Sequence, residues 1–278
     1  MVRHVGSTPG PRRVDENPDE DPDDPLRWPR RRRQDPVCVL AHRGGTGPWH
    51  ENSVEAFSGA LRLGADGVEL DVRRSADGEL VVHHDPLVPG SGLIHERRHE
   101  ELPGWIPTLE RALASCAGAI VNVEIKNVPT DPAYDPTNQV ALDVAVLLAT
   151  HVGTARPGPA RVIVSSFWPD TLAAVRGADL DADRGGDEDP SAPLGLLVHP
   201  ALDVSSALDT ATSLGCVALH PHHSQVTADL VGRAHDSGLA VVTWTVNLPE
   251  DLDAVVEAGV DVVITDDVAN TLAHLGRA

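Results

Sequence analysis

The stretch VCVLAHRGGTGPWHENSVEAFSGALRLGADGVELDV occupies residues 37–72 and places an apolar run, an amphipathic run and a second apolar run in succession. The first and last of these, VCVLAH (37–42) and GVELDV (67–72), have the valine-rich composition of strands. Between them, NSVEAFSGALRLG (52–64) has the spacing of a helix, and we expect Asn52 to cap it. A strand, a helix and a strand in this order indicate a parallel βα unit.

The same alternation continues to the end of the chain. Further strands are predicted at 79–84, 119–125, 161–166, 194–198, 216–220, 240–246 and 261–265. Residues 73–78 are too few for a crossover helix and contain the turn pair Asp77-Gly78, so the run at 79–84 is expected to fold back on 67–72 as a hairpin. Eight βα repeats remain. They predict a (β/α)8 TIM barrel with a short insertion at about 86–107, after the strand 2 hairpin.

The chain divides into a tail and one domain. Residues 1–36 are rich in proline and carry blocks of like charge, which predicts a disordered tail, and 37–278 form the barrel domain. The formal net charge is -20 and falls on the barrel. Nucleic acid is therefore excluded as a partner, because a nucleic-acid-binding face needs an excess of basic residues. No pattern in the sequence predicts an oligomeric state.

No apolar run is long enough to span a bilayer, and the first 36 residues have no apolar core of a signal peptide. We therefore expect a soluble, cytoplasmic protein without stable membrane insertion. Cys38, Cys116 and Cys216 are far apart and odd in number, so neither a disulfide framework nor a thiolate metal site is predicted. We expect them to be small buried side chains.

Charged residues cluster where the predicted strands end, which is where a TIM barrel places its chemistry. Glu69 and Asp71 are two apart on a strand and so share a face, and Glu124 and Lys126 repeat this spacing on the next parallel strand. Three carboxylates inside a barrel fit a hard divalent cation, Mg²⁺ or Ca²⁺. A salt-bridge network of these acids with Arg43 and Lys126 is the alternative.

Two histidines stand beside these acids in the predicted barrel. His42 ends the first strand, and a hairpin turn at 75–78 would set His84 opposite Glu69. Histidine exchanges protons near neutral pH, which metal-bound carboxylates do not. Arg43 supplies a fixed cation at the barrel mouth, and the helix that begins near Asn52 offers its N-terminus to an anion. A phosphodiester would use all of these groups.

At these positions the sequence resembles the glycerophosphodiester phosphodiesterase family. The long first motif is HRGGTGPWHENSVEAFSGALRLGADGVELDVRRSADGELVVHHDP at 42–86. Shorter matches follow: IPTLERAL (106–113), VEIK (123–126), SSF (165–167), VVTWTVN (241–247) and DVVITDD (261–267). The resemblance implies a TIM barrel that hydrolyses glycerophosphodiesters to glycerol 3-phosphate and an alcohol, with Mg²⁺ or Ca²⁺ as cofactor and the small-molecule diester as its partner.

The resemblance also implies roles for residues of this chain. Glu69, Asp71 and Glu124 would hold the metal, and His42 and His84 would be the general acid and base. Arg43 and Lys126 would bind the phosphate, and in the family a glycerol hydroxyl attacks phosphorus to give a cyclic phosphate. The alternatives are a related phosphodiesterase acting on lysophospholipids or other lipid diesters, and a barrel that binds phosphodiesters without turnover.

Four further residues lie at the ends of predicted strands. Trp244 either forms a pocket wall against the substrate or packs in the core. Asn247 either bonds substrate or caps the next helix, and Asp266 is expected to cap the last helix. His220 either lines the pocket or is a packing residue.

Overall fold

The computed structural model describes residues 35–151, 161–181 and 192–277. Nearly all of the predicted disordered tail, residues 1–34, lies outside the described residues, as do residues 152–160 and 182–191. Cys116 and Cys216 are buried and Cys38 is half-buried, and all three are free thiols. The helices of the described ranges include none that combines the length and the apolar character needed to cross a membrane.

The strands form a closed barrel, as predicted. They are β1 Cys38–Ala41, β2 Gly67–Arg74, β3 Leu80–Val82, β4 Leu87–Val88, β5 Gly92–Leu93, β6 Ile120–Ile125, β7 Arg161–Ser166, β8 Leu194–Val198, β9 Ala218–Pro221, β10 Ala240–Thr243 and β11 Val262–Thr265. Eight of them, β1, β2 and β6 to β11, are parallel, and β1 pairs with both β2 and β11 to close the barrel. Their carboxyl ends therefore meet at one face.

Helices connect the barrel strands on the outside. They are α1 Val54–Arg62, α2 Leu109–Ser115, α3 Gln139–His151, α4 Pro169–Asp181, α5 Val204–Ser213, α6 Ala228–Asp236, α7 Pro249–Ala258 and α8 Val268–His274. Their apolar faces pack on the outward side chains of the strands, and Phe57 of α1 is fully buried there with Leu70 of β2. A second cluster, with Leu40, Val242 and Ile264 among its members, fills the barrel interior.

The hairpin after β2 forms as predicted, but its register differs by one residue. β3 pairs with β2 through Val72↔Val82 and Arg74↔Leu80, so continuation of this ladder would not bring His84 opposite Glu69. The turn is longer than the predicted one because Ser75 accepts a hydrogen bond from the backbone N–H of Glu79 and adds a residue to the loop. His84 lies beyond the last paired residue, where the chain has left the sheet.

The insertion after the hairpin is a small ordered unit. β4 and β5 pair as a short antiparallel ribbon, and two turns of 3-10 helix follow at Ile94–Glu96 and His99–Glu101. Ile94, with four other apolar side chains, forms a separate cluster under this unit. The insertion therefore rests against the β2–β3 hairpin, beside the carboxyl ends of the strands.

Candidate active site

Three carboxylates converge inside the barrel mouth. Glu69 and Asp71 project inward from β2, and Glu124 projects from the neighbouring β6, where it is the direct partner of Asp71. All three are buried, and one oxygen of each lies within 4.8 Å of the others. The period-2 spacing that predicted a shared face is confirmed, because successive side chains of a strand alternate between its two faces.

Two cations are built into the same cluster. The Nε of Arg43 lies 3.2 Å from Asp71 Oδ2, and the Nζ of Lys126 lies 3.0 Å from Asp71 Oδ1 and also pairs with Glu124. The salt-bridge network considered for these residues is therefore present. It is incomplete, because neither cation pairs with Glu69, whose nearest charged partner is His42 at 3.9 Å.

Because of this uneven pairing, the pKa values of the two carboxylates on β2 shift in opposite directions. Burial and the negative charge of Asp71 raise the pKa of Glu69 well above its usual value. Burial acts in the same direction on Asp71, but the charges of Lys126 and Arg43 outweigh it and lower the pKa of Asp71. Neither Arg43 nor Lys126 pairs with Glu69, so Glu69 is the less compensated of the two carboxylates on β2.

Asn52 has a role that its position in the sequence did not reveal. The cap of α1 is Ser53, whose side chain accepts a hydrogen bond from the backbone N–H of Ala56, so the prediction that Asn52 caps this helix was wrong. Asn52 is fully buried, with a positive φ of 58°, and its Nδ2 donates to Asp71 Oδ2 at 2.7 Å. The left-handed backbone turns the amide inward, where it fixes a carboxylate of the cluster.

The loop after β1 is shaped to bring Arg43 against this cluster. Arg43 itself has a φ of 51°, and its backbone N–H donates to Glu69 Oε2 at 3.0 Å. Gly44 has a φ of 87°, and a Cβ added there would lie 2.5 Å from the Cβ of Ala56. Only glycine allows the loop to pass so close to α1. The guanidinium also donates to the exposed Glu51 at the loop rim.

His42 lies at the end of β1 and is held by a carboxylate from the other end of the chain. Its Nδ1 is 2.7 Å from Asp266 Oδ1. Asp267 caps α8, so the prediction that Asp266 is the cap was wrong. Asn247 binds Asp266 rather than capping α7, since its Nδ2 donates to Asp266 Oδ2 at 2.7 Å. Burial opposes the charged imidazole, but Asp266 and Glu69 raise the pKa of His42 above its usual value.

His84 lies close enough to the cluster for its charge to help lower the pKa of Asp71. Its Nδ1 is 2.7 Å from Oδ1 of the next residue, Asp85, and its backbone oxygen accepts a hydrogen bond from Arg73. Burial and the positive charge of Lys126 lower its pKa below the usual value. In both histidines the carboxylate occupies Nδ1, and neither Nε2 has a hydrogen bond to the described residues, although that of His42 faces Glu69 at 3.9 Å.

Trp244 and His220 lie on the half of the barrel away from the carboxylates. Trp244 follows β10, half-buried, and packs edge-on against Phe167 with ring centroids 5.4 Å apart. Its Nε1 donates to the backbone oxygen of His220. The His220 side chain is fully buried within the barrel and does not line an open pocket.

The carboxylate cluster fits a divalent cation. Glu69 Oε1 is buried and has no hydrogen-bond partner among the described residues, although it belongs to the cluster of three oxygens. Carboxylate oxygens are the ligands that Mg²⁺ and Ca²⁺ prefer. A cation bound beside Glu69 would supply the positive charge that neither Arg43 nor Lys126 places there.

Comparisons with known proteins find relatives along most of this chain. The sequence model of the glycerophosphoryl diester phosphodiesterase family matches residues 42–270. A glycerophosphodiester phosphodiesterase of Caldanaerobacter subterraneus subsp. tengcongensis is 31% identical over 87% of this chain and 98% of its own. One from Bacillus altitudinis is 27% identical over 82% of this chain and 94% of its own.

Solved structures share the barrel. The Thermotoga maritima glycerophosphodiester phosphodiesterase superposes with a TM-score of 0.67 at 26% identity, over 85% of this chain and 97% of its own. An Oleispira antarctica phosphodiesterase, solved in complex with the product sn-glycerol-3-phosphate, has a TM-score of 0.71 at 23% identity, over 87% and 97% of the two chains. At that identity the second likeness concerns the fold alone.

Proposed function

Because this chain belongs to the glycerophosphoryl diester phosphodiesterase family, we propose that it hydrolyses glycerophosphodiesters to glycerol 3-phosphate and an alcohol with a divalent metal ion and two catalytic histidines. Glu69, Asp71 and Glu124 hold the ion, which is Mg²⁺ or Ca²⁺. The observation that carries the proposal is the buried Oε1 of Glu69, which has no hydrogen-bond partner among the described residues although it belongs to the cluster of three carboxylates. When bound, the metal stabilises negative charge on the phosphoryl oxygens.

Arg43 and Lys126 are proposed to bind the phosphate. Both are fixed by Asp71, from opposite sides, so their charges are already in place before a substrate arrives. Electrostatic stabilisation of this kind needs no rearrangement during the reaction, and loss of one such contact costs about 10² to 10³ in rate. Trp244 is proposed to form the apolar wall against which the organic part of the substrate packs.

His42 and His84 are proposed to exchange the protons of the reaction through their Nε2 atoms. One ring accepts the proton of the attacking hydroxyl and the other donates a proton to the departing alcohol. Each Nδ1 is held by a carboxylate at 2.7 Å, so each ring is fixed in orientation.

The test is release of glycerol 3-phosphate from glycerophosphocholine and glycerophosphoethanolamine, with Mg²⁺, with Ca²⁺ and with a chelator. We expect release with metal, none with chelator, and a loss of at least about 10²-fold in Glu69→Gln. Glu257→Gln, in an exposed glutamate of α7, is the matched control and should behave as wild type. Activity that survives the chelator would overturn the metal proposal.

A lysophospholipid is the second substrate to assay, under the same conditions. We expect it to be the poorer substrate. A higher kcat/KM on lysophospholipid than on both soluble diesters would replace the proposed substrate class with lipid phosphodiesters. The variants above would then report on the same site with that substrate.

A further inference from the structure

The barrel interior below the carboxylates is arranged in layers. Moving around the barrel from Asp71, the paired residues are Glu124, Ser165, Gly195 and Ala218. In a barrel of tilted strands, inward side chains of alternate strands lie at one level. One layer then contains Glu69, Ser165, His220 and Ile264, and the layer beneath it contains Leu40, Asn122, Gly195 and Val242.

These two layers hold polar atoms without partners. Ser165 Oγ, Asn122 Oδ1 and both ring nitrogens of His220 are buried and make no hydrogen bond to any residue that the structure describes. All three side chains are at most 1% exposed. Buried polar groups in native proteins are almost always hydrogen-bonded, to protein or to ordered water. Three such side chains in adjoining layers point to a common partner.

Gly195 makes room for this arrangement. A Cβ added there would lie 2.3 Å from His220 Nε2, so the imidazole rests over the backbone of β8. A larger residue would fill the space that the ring occupies. Burial lowers the pKa of His220 to about 3, so the ring is neutral and offers one donor and one acceptor.

We propose that these two layers form a binding site for ordered water, held by Ser165, Asn122 and His220 beneath the carboxylate cluster. Water suits the donor set, because it both donates and accepts, as the hydroxyl and the neutral imidazole do. An anion does not suit it, since no cation faces this part of the interior among the described residues. The site is separate from the groups that bind substrate.

The water site bears on the metal site through Glu69. Ser165 and His220 share a layer with Glu69, so water bound to them lies at the same height in the barrel as this carboxylate. Hydrogen bonds from such outer groups orient a metal ligand, and their loss typically lowers metal affinity about 10-fold to 100-fold. Ser165 and His220 are therefore positioning residues for Glu69. This second part of the inference rests on the proposed metal site.

The direct test is a crystal structure at a resolution that shows ordered water. We expect at least one water within hydrogen-bond distance of both Ser165 Oγ and a ring nitrogen of His220. A direct hydrogen bond between Ser165 and His220, or an interior without density between them, would overturn the proposal. This readout does not involve catalysis, so its outcome is independent of the proposed reaction.

Two variants test the consequence for the metal, with Mg²⁺ titrated calorimetrically in the absence of substrate. Ser165→Ala removes one water ligand, and Gly195→Ala displaces the His220 ring; both should lose the water and raise the Mg²⁺ dissociation constant about 10-fold. Gly232→Ala is the control, since a Cβ there meets nothing within 4 Å.

Loss of the water with unchanged Mg²⁺ affinity would overturn the positioning role. Should Gly195→Ala fail to fold, Ser165→Ala alone makes the test, because it removes an atom rather than adding one. Absence of Mg²⁺ binding in the wild type would count against the proposed metal site and the positioning role together. The crystal structure would still decide whether the water site exists.

Discussion

His42 and His84 have the same contact, an Nδ1 atom 2.7 Å from a carboxylate, but the two carboxylates are held differently. Asp266 is fixed through its second oxygen and through its backbone N–H, both of which bond the side chain of Asn247. Asp85 is the neighbour of His84 in the chain, and its side chain is 69% exposed.

The two histidine rings therefore differ in how firmly contacts of the folded protein hold them in place. The carboxylate of Asp266 is anchored on two sides, so it can hold His42 in one orientation. The carboxylate of Asp85 has no second anchor of this kind among the described residues, and the position of His84 depends also on its backbone, whose oxygen accepts a hydrogen bond from the buried Arg73. Despite burial, Asp266 and Glu69 raise the pKa of His42, whereas burial and the charge of Lys126 lower that of His84.

The largest effects are expected from the histidines themselves. His42→Ala and His84→Ala should each lower kcat by about 10² to 10⁴, the contribution of a general acid or base. Glycerol 3-phosphate release at saturating substrate measures this, and His274→Ala, in an exposed histidine of α8, is the control. Wild-type kcat in either single variant would remove that histidine from the mechanism.

Replacing the carboxylate beside each histidine should lower kcat to different extents. Asp266→Asn should lower kcat at least about 10-fold, within the total that an acid–base residue supplies, and more than Asp85→Asn does. KM should change less than kcat, because the carboxylate acts through the ring. Asp267→Asn, which alters the cap of α8, is the matched control. Equal losses for Asp266→Asn and Asp85→Asn would show that anchoring of the carboxylate is irrelevant.

The two asparagines extend the comparison from activity to stability. Asn52 donates a hydrogen bond to the buried Asp71, and Asn247 donates one to Asp266, whose side chain is 43% exposed. Asn52→Gly, which keeps the left-handed backbone relaxed, should lower the free energy of unfolding by about 2 kcal/mol, since the hydrogen bond is to a buried charge. Asn247→Ala should cost less. Urea denaturation measures both, and the reverse order would contradict the role given to burial.

The smallest expected effect is on the pH dependence of stability and comes from a third histidine, His220. No carboxylate of the described residues bonds its ring. Its pKa is about 3 in the folded protein and near 6.5 in an unfolded chain, so below pH 6.5 the unfolded state binds the extra proton. Its contribution to stability is complete above pH 6.5 and falls as the pH decreases towards 3.

Between pH 7 and pH 5.5 this loss should be about 1 kcal/mol. It is measured as the difference in pH dependence between wild type and His220→Gln in urea denaturation. A wild-type curve parallel to that of the variant would mean that the pKa of His220 in the folded protein is close to its value in the unfolded chain. The ring would then have a charged partner, in contrast to the buried neutral ring of this structure.

Much of the fold and part of the site were accessible from local patterns. The valine-rich runs marked the strands, and the spacing of Glu69 and Asp71 predicted their shared inward face, because side chains on a strand alternate with a period of two. The hairpin at Asp77-Gly78 was recognised by its turn pair. Its register was not, because the added residue depends on a hydrogen bond between Ser75 and Glu79.

Periodicity over a few residues specifies the order of strands and helices, the barrel, and which acids point inward, so these features could be predicted from the chain alone. The pairing of Asp266 with His42, 224 positions away, and the hydrogen bond of Asn52 to Asp71 could not, because both depend on contacts made in the folded barrel. For each polar side chain at a strand end, the chain contains several residues that could form the same kind of hydrogen bond or ion pair. Closure of the barrel selects among them, because it alone brings β1 beside β11 and fixes which loops meet at the mouth.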